Sequence, residues 1–266
     1  MKKELYYIFL NQIKFIYLIY MNKFLNTNSI SYMNHLEYIN NNPFPHIVID
    51  NFLNEDIIDE IMKFSKSLKL EDCSNNRLPP NKETQYKYAY NKFKNFPDKI
   101  KNLFLFLNSE EFINKIEKLT GINGCVIGNT ALKGAGFHKI TNKGFLKLHT
   151  DFNNYKDKKM GSLDRRINLL LYLNPEWKEE YKGHLWLCSK NNKKVEKKIL
   201  PILNRCVIFS TTNKSIHGHP EKLNLPSGLT RDSIALYYYT KNKGKNVCFE
   251  GDKFHSTIYY KTKKFI

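Results

Sequence analysis

The stretch FLKLHTDFN, Phe145–Asn153, decides how the chain is read. Leu146 and Leu148 alternate with Lys147 and His149, the pattern of a strand with one buried face. Residues two apart in a strand point to the same side, so His149 and Asp151 aim an imidazole and a carboxylate together. Either two metal ligands converge there, or two polar groups share a solvent edge. The surrounding sequence has to choose.

Downstream, short strands follow one another: INLLLYLN (167–174), GHLWLCS (183–189), RCVIFST (205–211) and SIALYYYT (233–240). Turn residues separate them, and no long amphipathic helical pattern intervenes. Upstream the periodicity is different. After an extended entry at Pro43 and Pro45, HIVID reads as a strand, and Asn54 stands where a helix would be capped. Ile57, Ile58, Ile61 and Phe64 then recur at helical spacing. NNRLPPNKET (75–84) reads as a loop. Residues 96–121 give two more helices, with Ser109 capping the second and Gly121 ending it. A helical first half and an all-β second half predict an α+β protein on a jelly-roll core, with the N-terminal helices packed on it. The expected layout is a helical part over about 34–124 and a β core over about 125–260, in one domain spanning 34–266.

Composition bounds the rest. A 266-residue chain that is 41% hydrophobic can bury a large core and is not a disordered sequence. Its cysteines, at 73, 125, 188, 206 and 248, form no CxxC pair, which argues against a disulfide framework or a cysteine zinc site. A reducing, intracellular (cytoplasmic) setting is the simplest expectation. The formal charge of +18 suggests nucleic acid. However, 38 of the 43 basic residues are Lys, and that bias, with abundant Asn and Ile, is what AT-rich coding writes into any protein. A nucleic-acid partner is therefore not expected, and each of the five arginines (77, 165, 166, 205, 231) carries more meaning. Residues 1–33 are an apolar extension interrupted by Asn11, Gln12 and Lys14, too short in any unbroken run to span a membrane. They read as a membrane-surface helix through 1–25, as disordered, or as sequence upstream of a start at Met21 or Met33. A chain starting at Met33 is expected to fold.

The metal question turns on a third ligand. STTNKSIHGHP supplies His217 and His219, again two apart, about 65 residues beyond Asp151. Two histidines and a carboxylate with open positions make the facial triad of non-haem Fe(II) oxygenases. Parity cannot separate His217 from His219. Gly218 marks a close backbone approach and Pro220 a strand end, which favours His217. Arg231 opens a strand with Ser233 on its face, a place from which a guanidinium can grip a carboxylate.

In this order and spacing, His149-Thr150-Asp151, His217 and Arg231 resemble the Fe(II)/2-oxoglutarate-dependent dioxygenases. RRINLLLYLNPEW (165–177) is similar to the strand-plus-turn of the prolyl-4-hydroxylase-like branch. The resemblance runs over roughly 43–240. It implies a double-stranded β-helix holding one Fe(II) and 2-oxoglutarate, and it admits ascorbate as a further cofactor. It also implies that His149, Asp151 and His217 are the metal ligands and catalytic centre, with Arg231 and Tyr172 on the distal carboxylate of the co-substrate. Asn168 and Tyr172 share one strand face, opposite Ile167, Leu169, Leu171 and Leu173, so Asn168 is also expected to contact the co-substrate. Ser233 is expected to assist Arg231, and His138 to touch the co-substrate. His184 and Trp186 depart from the branch's pattern and are expected to alter the substrate side of the pocket.

The function implied is hydroxylation of a peptidyl, amino-acid or other small organic substrate, using O2 and releasing succinate and CO2. A nucleic-acid oxygenase and a non-catalytic metal-binding β-helix module are the other classes open to this sequence.

Overall fold

A computed structural model describes residues 23–74, 83–122, 126–128, 132–191, 193–241 and 253–265. Twelve strands form one curled antiparallel sheet: β1 (His46–Ile49), β2 (Thr84–Tyr90), β3 (Val126–Gly128), β4 (Gly136–Thr150), β5 (Asn154–Asp157), β6 (Gly161–Tyr172), β7 (Leu185–Ser189), β8 (Lys194–Ile199), β9 (Cys206–Ser210), β10 (Ile216–His219), β11 (Arg231–Lys241) and β12 (Ile258–Tyr259). The main path runs β1-β9-β6-β11-β4-β10-β7-β8, with β2 and β12 also on β4, β3 on β11 and β5 on β6.

The curl comes from β4. Its first residues, Gly136–Ile140, pair with β11, while Leu146 and His149 pair with β10. Between these halves the strand bends at Lys143, whose φ is +62°. One long strand thus joins two layers, and the space between them opens onto the end of β4 that carries His149. This is the double-stranded β-helix core with helices packed on it that the sequence predicts.

Alternation decides which side chains enter that space. On β6, Ile167, Leu169 and Leu171 are buried in the main core, while Asn168, Leu170 and Tyr172 line the cavity. On β11, Ile234, Leu236 and Tyr238 go to the core and Ser233, Ala235 and Tyr237 to the cavity. The core face is covered by the helices Glu55–Ser67, Asp98–Leu107 and Glu110–Thr120, which contribute Ile57, Ile61, Leu103, Phe104, Phe112 and Ile116. Each such side chain gives about 1.5–3 kcal/mol on burial, so this packing makes the back of the sheet a rigid support. The local signals for these helices hold: the Ser109 hydroxyl accepts from Phe112 N, and Gly121 ends the helix with φ +73°.

Several expectations shift. The helical half also supplies strands: β1, the strand read at HIVID, lies on β9, and β2, which starts at the last residue of the stretch read as a loop, lies along β4. Residues 75–82 of the loop and 1–22 of the extension fall outside the described residues. Within the rest of the 1–33 segment, Phe24 and Leu25 are core residues, each 1% exposed. Their positions are fixed by Asn54 N donating to Phe24 O and by a bridge from Leu25 to Leu53. The packed domain therefore begins before residue 34. Among the described residues no helix is long and apolar enough to cross a membrane.

Candidate metal and co-substrate site

His149 is the penultimate residue of β4, Asp151 follows the strand, and β10 brings His217 directly opposite His149. One ligand atom from each lies within 4.8 Å of the others, and all three residues are buried. The His149 Nε2 is 3.6 Å from Asp151 Oδ1, and His217 Nε2 is 3.5 Å from Asp151 Oδ2. Both Nδ1 atoms are occupied by backbone carbonyls two residues upstream: Lys147 O at 2.8 Å and Ser215 O at 2.9 Å. Those contacts place the proton on Nδ1 and leave the Nε2 lone pairs facing the carboxylate, the tautomer a metal requires. Burial lowers the His217 pKa to about 4, so its imidazole is neutral at physiological pH. By donor type and direction the set fits a divalent metal of the Fe(II) kind. His219 lies outside this cluster. A register irregularity between His217 and His219 sets it two residues further along the cavity wall, where burial holds its pKa well below normal.

Gly218 permits this arrangement. A Cβ there would stand 2.6 Å from Lys147 O and 2.9 Å from Leu146 O, so β10 can press against β4 only because the residue has no side chain.

The carboxylate is held from behind. Asn168 Nδ2 donates to Asp151 Oδ2 at 2.8 Å, and Arg165 Nη2 lies 3.1 Å from the same oxygen. Arg165 also donates to Asn168 Oδ1 through Nε and Nη2, and its guanidinium stacks 3.6 Å from the Tyr237 ring centroid. Burial works against ionisation of Asp151, but Arg165 and the two histidines overcome it and keep the carboxyl well below the usual range. Asn168 thus acts on Asp151, where a co-substrate contact was expected. Arg165, absent from the sequence-based site, is brought to Asp151 by the β5–β6 hairpin, in which Arg165 N donates to Asn153 O. Its rarity as one of five arginines was the signal that could have singled it out.

Arg231, at the start of β11, is buried and forms no ion pair among the described residues. Its Nε donates to Gly183 O at 2.8 Å, and its guanidinium carbon lies 5.0 Å from the centre of the Tyr172 ring. Gly183 has φ +78°, and a Cβ there would meet Arg231 Cδ at 3.0 Å. The Tyr172 hydroxyl is buried with no hydrogen-bond partner, and burial raises its pKa, so it stays a donor. An uncompensated guanidinium beside an unused phenol is a receptor for a carboxylate. Ser233 stands opposite both Tyr172 and His138 and lines the same cavity. His138 is on β4 itself, with Nε2 3.2 Å from Gly134 O, and burial pushes its pKa well down.

The structure corrects one expectation here. Leu185 lines the cavity, while its neighbours on β7 point the other way. His184, itself buried, pairs outside the cavity with the exposed Glu179 Oε2 at 2.8 Å, and Trp186 packs with Leu148, Cys188, Ile216 and Phe265. Strand alternation keeps both off the substrate side.

Residues 135–239, from β4 through most of β11, match the 2OG-Fe(II) oxygenase superfamily. No protein of curated function matches the chain. Among solved structures, similarity extends to a prolyl hydroxylase from Trichoplax adhaerens in complex with a hypoxia-inducible-factor peptide. The identity is 21%, the coverage 80% of this chain and 91% of that one, and the TM-score 0.55. A Pseudomonas putida prolyl-4-hydroxylase aligns with 14% identity over 75% and 93% of the two chains, TM-score 0.52. HygX from Streptomyces hygroscopicus, solved with nickel and 2-oxoglutarate, aligns with 10% identity over 91% and 100%, TM-score 0.50. At these identities the likeness is one of fold. The chain has the double-stranded β-helix fold of these proteins, its residues 135–239 match the 2OG-Fe(II) oxygenase superfamily, and its His149, Asp151 and His217 cluster offers the donors that an Fe(II) ion would need.

Proposed function

We propose that the protein hydroxylates a peptidyl, amino-acid or other small organic substrate in a single domain, releasing succinate and CO2. In this reading His149, Asp151 and His217 hold Fe(II). Arg231 and the Tyr172 hydroxyl receive the distal carboxylate of 2-oxoglutarate, with Ser233 and His138 completing the wall beside it. The bound iron and 2-oxo acid supply O2 activation coupled to oxidative decarboxylation. The chain's own residues do the rest. Backbone carbonyls fix both imidazole tautomers. Asn168 and Arg165 hold the Asp151 carboxylate in place and ionised. Leu170, Leu185 and Ala235 keep the interior dry beside the polar groups.

The observation that carries this reading is the convergence, in one cavity, of a three-donor cluster and an unpaired Arg231 next to an unused tyrosine hydroxyl. An intracellular setting and a substrate other than nucleic acid remain part of the proposal, supported by the scattered cysteines and the preponderance of lysine over arginine.

The test is direct. Purified protein with Fe(II) and ascorbate should convert 2-oxoglutarate to succinate, at least without coupling to a substrate, and should bind 2-oxoglutarate anaerobically in the presence of Mn(II). Folded protein that binds neither metal nor 2-oxoglutarate would overturn the assignment.

A further inference from the structure

One charged group in the cavity has no role in the reaction as described. Lys87, on β2, lines the same cavity as His149, Asp151 and Arg231. It makes no hydrogen bond or ion pair with any other described residue. Its presence there depends on an irregularity in the strand. Thr84 pairs with Leu146, which lines the cavity, so plain alternation would next send Tyr86 inward and Lys87 outward. Between Gln85 and Lys87 the register slips, and Tyr86 adopts φ +52° with its side chain exposed. That bulge reverses the parity. Lys87 comes to stand opposite Ile140 and Ala89 opposite His138, both on the cavity side. A left-handed tyrosine is an unfavourable conformation, and bulges are known to re-aim side chains beside functional sites.

Charge balance points to what the ammonium meets. Lys87, Arg165 and Arg231 face one carboxylate, Asp151, leaving the cavity with a net charge of +2. Loading one Fe(II) and one dianionic 2-oxoglutarate adds equal and opposite charge and leaves that excess in place. Arg165 is engaged by Asp151, and Arg231 is committed to the co-substrate in the reading above. Lys87 is the cation left over, and a half-buried cation with no counter-charge of its own is costly unless an anion joins it.

We infer that Lys87 is a specificity-determining residue that recognises an anionic oxygen group, carboxylate or phosphate, on the substrate to be hydroxylated. The inference rests on the proposed 2-oxoglutarate oxygenase reading, and the experiment separates the two.

The full-length protein is loaded anaerobically with Mn(II) and 2-oxoglutarate, and binding of both by the wild type establishes the underlying reading. Three capped amino acids are then titrated by calorimetry: N-acetyl-L-glutamate amide, its neutral isostere N-acetyl-L-glutamine amide, and N-acetyl-O-phospho-L-serine amide. At least one acidic probe should bind about tenfold or more tightly than the neutral one, the strength of a charge-assisted contact. Comparing the two acidic probes tells carboxylate from phosphate. Lys87→Met should erase the preference while keeping 2-oxoglutarate affinity and thermal stability, and Lys87→Arg should retain it. A wild type without preference for either acidic probe, or a preference that survives in Lys87→Met, would overturn the inference. So would a loss of 2-oxoglutarate affinity in Lys87→Met, which would make Lys87 part of the co-substrate site.

Discussion

Gly218→Ala tests the geometry on which the metal cluster depends. In the structure the added methyl would lie 2.6 Å from Lys147 O, 2.9 Å from Leu146 O and 3.0 Å from Lys147 C. These are backbone atoms of the paired strand, so no rotamer change can relieve the clash. To reach an ordinary contact of about 3.4 Å, β10 must retreat from β4 by about 0.8 Å at that point. His217 is the adjacent residue, and its ring lies 4.4 Å from that of His149 across the same strand pair. A functional constellation tolerates displacements of only about 0.5 Å, so the retreat should spoil metal binding. Overpacking of this kind destabilises by roughly 1–3 kcal/mol. A protein of this size should then melt about 2–4 °C lower for each kcal/mol. Calorimetric titration of the variant with Mn(II), beside thermal unfolding, reads both effects. Metal affinity should fall at least about tenfold, within the range seen when the groups that orient metal ligands are removed. A Gly218→Ala protein with wild-type melting and wild-type metal affinity would mean that β10 does not lie on β4 in this register. The argument placing His217 opposite His149 would then fail.

Three further outcomes follow from the site. Arg231→Ala should weaken 2-oxoglutarate binding roughly 10- to 150-fold, the equivalent of about 1.5–3 kcal/mol, with little change in metal affinity, and Tyr172→Phe should do the same more mildly. Anaerobic calorimetry distinguishes this from the opposite pattern, which would refute the anchor. Asn168→Ala should lower metal affinity about 10- to 100-fold by releasing the Asp151 carboxylate, and unchanged Mn(II) binding would show that Arg165 alone suffices. Burial, opposed by Asp151 and reinforced by Arg231 and Arg165, brings the Lys87 pKa to about 8, and His138 and His219, which also face it, are held neutral by burial. The preference for an acidic probe should therefore be full at pH 7 and decline by up to about tenfold per unit above pH 8 as the ammonium deprotonates, and a preference constant to pH 10 would be inconsistent with Lys87 as its source.

How much of this was legible in the sequence depended on whether strands kept strict alternation. On β6 from Ile167 to Tyr172 and on β11 from Arg231 to Tyr237 they do, so parity put Asn168 with Tyr172 and Arg231 with Ser233, while their roles came from the resemblance to the dioxygenases. On β2 they do not. The bulge at Tyr86 turns Lys87 inward, and a two-residue period read from the sequence would have sent it to solvent. Alternation was not carried through to β7, where it turns His184 and Trp186 away from the cavity. Arg165 was hidden by a similar break in parity, the register irregularity at Arg166 that turns it to the same face as Asn168, and by its distance along the chain. It is 14 residues from Asp151 in sequence, and only the closure of the β5–β6 hairpin makes them neighbours. The choice between His217 and His219 was open to parity for a related cause, since the irregularity between them is a property of the pairing with β4.

The N-terminal boundary is where sequence reasoning and structure part most clearly, and it gives the last test. The apolar stretch before Met33 resembles no motif and carries no proposed ligand, which favoured a chain that folds without it. Yet Phe24 stacks on Phe106 with ring centroids 5.1 Å apart, and Leu25 bridges to Leu53 beside the helix Glu55–Ser67. Asn26 N also donates to Phe52 O at 3.0 Å, closing a small antiparallel pairing over the core. Deleting a buried Phe side chain costs about 3–5 kcal/mol and a buried Leu about 2–5 kcal/mol. Against a typical total of about 5–15 kcal/mol, losing both removes a third or more of the stability. A chain starting at Met33 should therefore melt far below the full-length protein or fail to fold, with full-length Phe24→Ala falling between the two. Thermal unfolding monitored by circular dichroism reads all three. If the chain starting at Met33 melted with the full-length protein and bound 2-oxoglutarate equally well, Phe24 and Leu25 would not be core residues. The apolar segment would then be the separable extension that its sequence alone suggests.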